Sequence, residues 1–143
     1  MKRFEIGSIE VLGSMGILIW ALVLFLRTRN MPNNDFCVFV IGMLPNLAAA
    51  WISTMIGKWI IVLGLKRRLT VRVYGVLCFS IMLFALCSEL IYDLYFDSAF
   101  DIYDLVVTAM AQIVAFILPL LLQDKSISKQ TTKAINMEEY NDI

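Results

Sequence analysis

The chain contains no histidine. That absence removes the side chain most often used as a general base near neutral pH, and with it the commonest nitrogen ligand for metals. Cysteine is sparse: only Cys37, Cys78 and Cys87 occur, and no two stand at the CxxC spacing of zinc or redox sites. They read as small apolar side chains. Cys37 and Cys87 fall near the same membrane face, but nothing in the sequence supports a disulfide between them. Charge is scarce as well, at 17% of residues, and 12 basic side chains cancel 12 acidic ones. No basic stripe interleaved with exposed aromatics is present, which excludes nucleic acid as a partner. No cofactor is expected, and no set of metal ligands can be named.

What remains is apolar. Hydrophobic residues make up 60% of the chain and mean hydropathy is +0.79, against about 45–50% apolar residues in a soluble domain. The expected fold is all-α: a four-helix polytopic membrane bundle over residues 1–123, followed by a polar tail over 124–143 expected to be mobile. The expected spans are 7–26, 36–65, 71–95 and 103–122, each long enough for the hydrocarbon core. The first carries no small-x-small cleavage site after it and reads as a retained span. The second is longer than an upright span needs, and Pro45 marks a place for a kink or a restart. Pro32 and three asparagines make residues 27–35 a turn-rich connector.

Basic residues set the orientation. Lys2, Arg3, Lys66, Arg67, Arg68, Arg72, Lys125, Lys129 and Lys133 fall on one side, and Arg27 and Arg29 on the other. Both termini are therefore expected in the cytoplasm, with the first and third connectors facing out.

Five carboxylates crowd the third connector and its flanks: Glu89, Asp93, Asp97, Asp101 and Asp104. Steps of four place Glu89, Asp93 and Asp97 on one helix face if the third span reaches that far. Asp101 and Asp104 suit the cap and first turn of the last span, where carboxylates meet free backbone N–H groups. Glu89 needs another reason, because a carboxylate inside a span must be neutral, paired or facing water. Glu89 is expected to face the bundle interior, within reach of the outward loop carboxylates or of Arg27 or Arg29. Asn46 and Gln112 lie at similar depth to Glu89 by residue count. The three form a candidate outward polar pocket, set against a plain reading as interhelical hydrogen bonds. Deeper in, Lys58 either snorkels to the headgroups or pairs with Glu10 of the first span.

Two stretches carry a resemblance. Glu89-Leu90-Ile91-Tyr92 followed by Phe100-Asp101-Ile102-Tyr103-Asp104 resembles the C-terminal signature of VanZ-like membrane proteins. Leu44-Pro45-Asn46-Leu47-Ala48-Ala49-Ala50 is similar to a Leu-Pro-Asn segment of that family. The resemblance covers residues 36 to 120. An Arg usual in the family's loop and a Gln usual after its Glu are absent. The resemblance implies a small, multi-pass protein of the bacterial inner membrane connected with glycopeptide tolerance.

Three functions compete. A non-enzymatic envelope protein would bind a cell-wall or lipid-linked ligand through Glu89, Asp93, Asp101 and Asp104, with Asn46 and Gln112 supporting. A proton or cation transport component would use the same carboxylates and need an oligomer. An interaction or immunity subunit would pack against a membrane partner. An enzyme is the weakest reading, since Ser88 beside Glu89 lacks a base and an orienting group.

Overall fold

The computed structural model describes the backbone over residues 6–29, 34–96 and 100–141, and side-chain surroundings over residues 7–29, 34–95 and 100–122. Among the described residues the secondary structure is wholly helical. Helix α1 is Ile6–Thr28, α2 is Asp35–Trp59, α3 is Val71–Phe96 and α4 is Ile102–Asn141. Each contains a stretch long and apolar enough to cross a membrane: Gly7–Thr28, Asp35–Gly64, Val71–Tyr95 and Ile102–Leu122. The bundle has a basic end, at the connector carrying Lys66, Arg67 and Arg68, and an acidic end, where α3 closes and α4 begins. Asp97 and Pro32 lie outside the described residues.

Local chemistry explains the helix ends. Asn34 caps α2 by accepting the Phe36 N–H at 3.1 Å. Asp101 does the same for α4, its Oδ1 accepting the Tyr103 N–H at 2.9 Å. Asp104 follows in the first turn. Helix α2 is continuous through Pro45, so of the expected kink or restart the restart is not found. In membrane helices a proline's lost hydrogen bond is tolerated where neighbours absorb it. The irregularity comes later, as a π-helical turn at Ile60–Gly64 closed by the Leu65 N–H on Ile60 O at 2.9 Å. Lys66 then takes a left-handed conformation, φ 51°, and the Arg67 N–H returns to Ile61 O at 3.0 Å. This is a Schellman-type stop widened to match the π turn. Beyond the fourth span, α4 continues through residues 123–141 to Asn141. No glycine or proline follows Pro119, so once the helix has left the membrane nothing breaks it.

Helix α1 runs antiparallel to α2 and close to it. A Cβ built on Gly16 would stand 2.9 Å from the Ala48 carbonyl oxygen, so the absent side chain is what lets the backbones approach. Helix α2 lies parallel to α4. Helix α3 is peripheral: 11% of its membrane window is buried, against 28% for α1 and α4. It is anchored only near its start, where Tyr74 stacks on Phe116 at 6.0 Å and donates to Ala115 O at 2.8 Å. Ile9, Leu69, Tyr74 and Cys78 form the core there. Beyond Cys78 no described residue of α3 is buried.

Gly16→Ala is expected to destabilise the α1–α2 pair by about 1–3 kcal/mol, the range for overpacking against a backbone that cannot move aside. Gly42→Ala, with nothing within 4 Å of its Cβ, is expected to be neutral or slightly stabilising. Thermal unfolding of the two variants in one detergent checks the contrast.

Candidate functional site

The buried polar side chains collect along the seam between α2 and α4. On α2, Asn46, Ala50, Thr54 and Lys58 recur every four residues and so share one face. On α4, Asp104, Thr108 and Gln112 do likewise. At the middle level, Gln112 Nε2 donates to Ala50 O at 3.2 Å and to Thr54 Oγ1 at 3.2 Å. The Thr54 hydroxyl donates to Ala50 O at 2.8 Å. Trp51 Nε1 donates across the same seam to Ala111 O at 3.1 Å. Gln112 and Thr54 are both buried, and every one of these polar atoms has a partner.

At the acidic end, the Asn46 amide and the charge of Asp101 both act on the Asp104 carboxylate. Phe39 packs edge-on against Tyr103 with centroids 5.5 Å apart, closing the seam beside them. Asp104 is half-buried and has no cationic partner among the described residues.

Toward the basic end, Lys58 Nζ donates to Glu10 Oε1 at 2.6 Å. Lys58 is 1% exposed, so it does not snorkel; its ammonium is held inside the bundle. The Glu10 side chain is 48% exposed and has the Trp59 side chain beside it. One turn of α2 separates Lys58 from Thr54, so the pair continues the seam.

Several expected juxtapositions are absent. Asn46, Glu89 and Gln112 do not share one pocket. Gln112 is taken up by α2 about 12 Å further along α4 than Asp104, eight residues at 1.5 Å each. Glu89 is half-buried, on the face of α3 that also carries Tyr74, Cys78, Met82 and Ala85. It forms no ion pair with Arg27 or Arg29 among the described residues. Arg29 instead lies over the Phe25 ring, 5.1 Å from its centroid, and Arg27 is exposed. Asp93 is exposed one turn beyond Glu89. Ser88 donates to Ala85 O at 2.8 Å, an ordinary helix back-bond. The three cysteines are free. Among the described residues no three His, Cys, Asp or Glu side chains are placed to hold a metal.

Thr54 and Thr108 were not singled out by sequence reasoning, although their four-residue spacing from Lys58 and Gln112 was there to be read. The Trp51 and Tyr74 bonds to carbonyls of α4 had no such signal.

Gln112→Leu is expected to cost about 0.6–1.7 kcal/mol, the range for an interhelical hydrogen bond in a membrane. Glu10→Gln should lower the melting temperature, because it removes the counter-charge of a buried ammonium. The double variant Glu10→Gln/Lys58→Met should recover most of that loss. Melting curves of the three proteins in detergent decide both points. An additive double variant would mean that the two charges are not coupled.

No family model, no curated protein and no solved structure matches this chain.

Proposed function

We propose that the chain is a VanZ-like, non-enzymatic protein of the bacterial cytoplasmic membrane, with both termini inside and the acidic end outside. There it binds a cationic group of a cell-wall or lipid-linked ligand, in a role in envelope or antibiotic tolerance. The observation that carries this reading is Asp104. It is a half-buried carboxylate beside a donor amide, with a second carboxylate near it and no cation among the described residues. Like charges placed together at a membrane surface are costly unless an external cation meets them. An ammonium between Asp101 and Asp104 supplies that charge, with Asn46 orienting the deeper carboxylate. Glu89 and Asp93, on the open half of α3, add negative field at the same end.

The orientation rests on the nine-to-two division of basic residues. In a cysteine-free background, Phe100→Cys should react with an impermeant maleimide on intact cells and Lys66→Cys only after permeabilisation. The reverse pattern inverts the topology.

Asp104→Asn is expected to weaken binding of a lysine-containing, lipid-linked cell-wall precursor by about tenfold or more, since a hydrogen bond to a charged group contributes about 1.5–3 kcal/mol. Glycopeptide tolerance should fall with it at equal membrane abundance. Glu89→Gln should have a smaller effect, and Asp35→Asn, exposed at the same end, none. Full binding and tolerance in Asp104→Asn would remove the site.

A second reading is favoured by one observation. The polar ladder from Asp104 and Asn46 through Gln112 and Thr54 to Lys58 and Glu10 follows one seam through most of the bundle, the arrangement of residues along a proton path. Proton flux in liposomes, lost in Gln112→Leu and Thr54→Val while the fold persists, would select transport over binding.

A further inference from the structure

At the basic end, a groove of about 350 Å³ opens sideways between the π turn and α3, lined by Ile61, Arg72, Val73, Val76, Leu77 and Ser80. Its floor is apolar. Positions 72, 76 and 80 stand one above another, with 73 and 77 alongside, so the groove follows α3 for about 12 Å, eight residues at 1.5 Å each. Arg72 stands at its mouth. Lys66, Arg67 and Arg68 precede it on the connector, and all four cations are exposed. None of the four pairs with a carboxylate among the described residues.

The connector is firmly held. The Arg67 N–H is bonded to Ile61 O, and the Tyr74 N–H to Thr70 O at 2.9 Å. Thr70 Oγ1 accepts the Val73 N–H at 3.3 Å, and Leu69 and Tyr74 are buried beneath. The start of α3 adds the positive end of its dipole at the same level.

We propose that this groove seats an anionic phospholipid, one acyl chain lying against Ile61, Val73, Val76 and Leu77 and the phosphate meeting Arg72 and the connector cations. Two features of the occupant follow from chemistry on the same surface. The length and apolarity of the groove fit a hydrocarbon chain running along α3, and the four cations at its mouth, unpaired among the described residues, fit an anionic headgroup. A neutral lipid satisfies only the first. The groove opens beside the π turn that carries Ile61, and π turns recur at such working positions.

Native mass spectrometry of the full chain, loaded with phosphatidylglycerol or with phosphatidylcholine, tests this. Phosphatidylglycerol should be retained preferentially. Arg72→Gln should weaken its retention about fivefold, the effect of removing about one surface cation's attraction, and Arg67→Gln/Arg68→Gln should act in the same direction. Val76→Trp, at a position 65% exposed, should fill the groove and lower retention with the charge unchanged. Circular dichroism melts of each variant establish that the fold persists, and the connector variant carries the charge test if Arg72→Gln does not fold. Equal retention of the two lipids overturns the proposal. So does loss of preference in the charge variants alone with Val76→Trp unaffected, because that marks a diffuse charge cloud with no seated lipid.

Discussion

A side-chain amide buried in a membrane bundle has no water to turn to, and Gln112 answers that constraint by bonding to α2. With the Thr54 hydroxyl and the Ala50 carbonyl it ties two parallel helices at one level. Sliding α4 by a turn would leave these groups unpaired in an apolar surrounding, at a cost larger than any single apolar contact there returns. The register so chosen brings Asp104 to Asn46 at one end. At the other, the same face of α2 turns Lys58 toward Glu10, so α1 is drawn into an arrangement set first by α2 and α4.

The bundle is unequal along its length. At the basic end α1, α3, α4 and the π turn that follows α2 meet around Ile9, Leu69, Tyr74 and Phe116. Toward the acidic end α3 is less buried, and Glu89 and Asp93 lie on that half. The close packing and the acidic groups are thus kept apart, and α1, α2 and α4 form the stable frame against which α3 leans at its base.

Hydropathy and helix length made the four spans legible within a few residues, since the membrane leaves a buried backbone few alternatives. Equal depth in neighbouring spans brought Glu10 and Lys58 together on paper, and they are bonded in the structure. Depth alone misled at Glu89, Asn46 and Gln112. Residue counting gives height in the membrane but not the azimuth of a side chain or the splay of a helix. Asn46 and Gln112 both face the α2–α4 seam but at different levels, while Glu89 stands on α3, outside that seam. Pro45 misled for a related reason: a proline is a strong breaker in water, but its lost bond is a small matter beside the packing of α2 on both neighbours. The π turn has no comparable sequence mark.

The length of α4 has a mechanical meaning. Forty residues at 1.5 Å per residue make a rod of about 60 Å, and a hydrocarbon core takes up about half of that. With Leu122 at one membrane face, residues 123–141 continue beyond it as about 28 Å of helix counted along the axis. A helix of this kind transmits rotation. Any turning of α4 about its own axis within the seam, where Asp104 and Gln112 sit, would swing the far end through the same angle, so the two ends of the rod share one rotational coordinate.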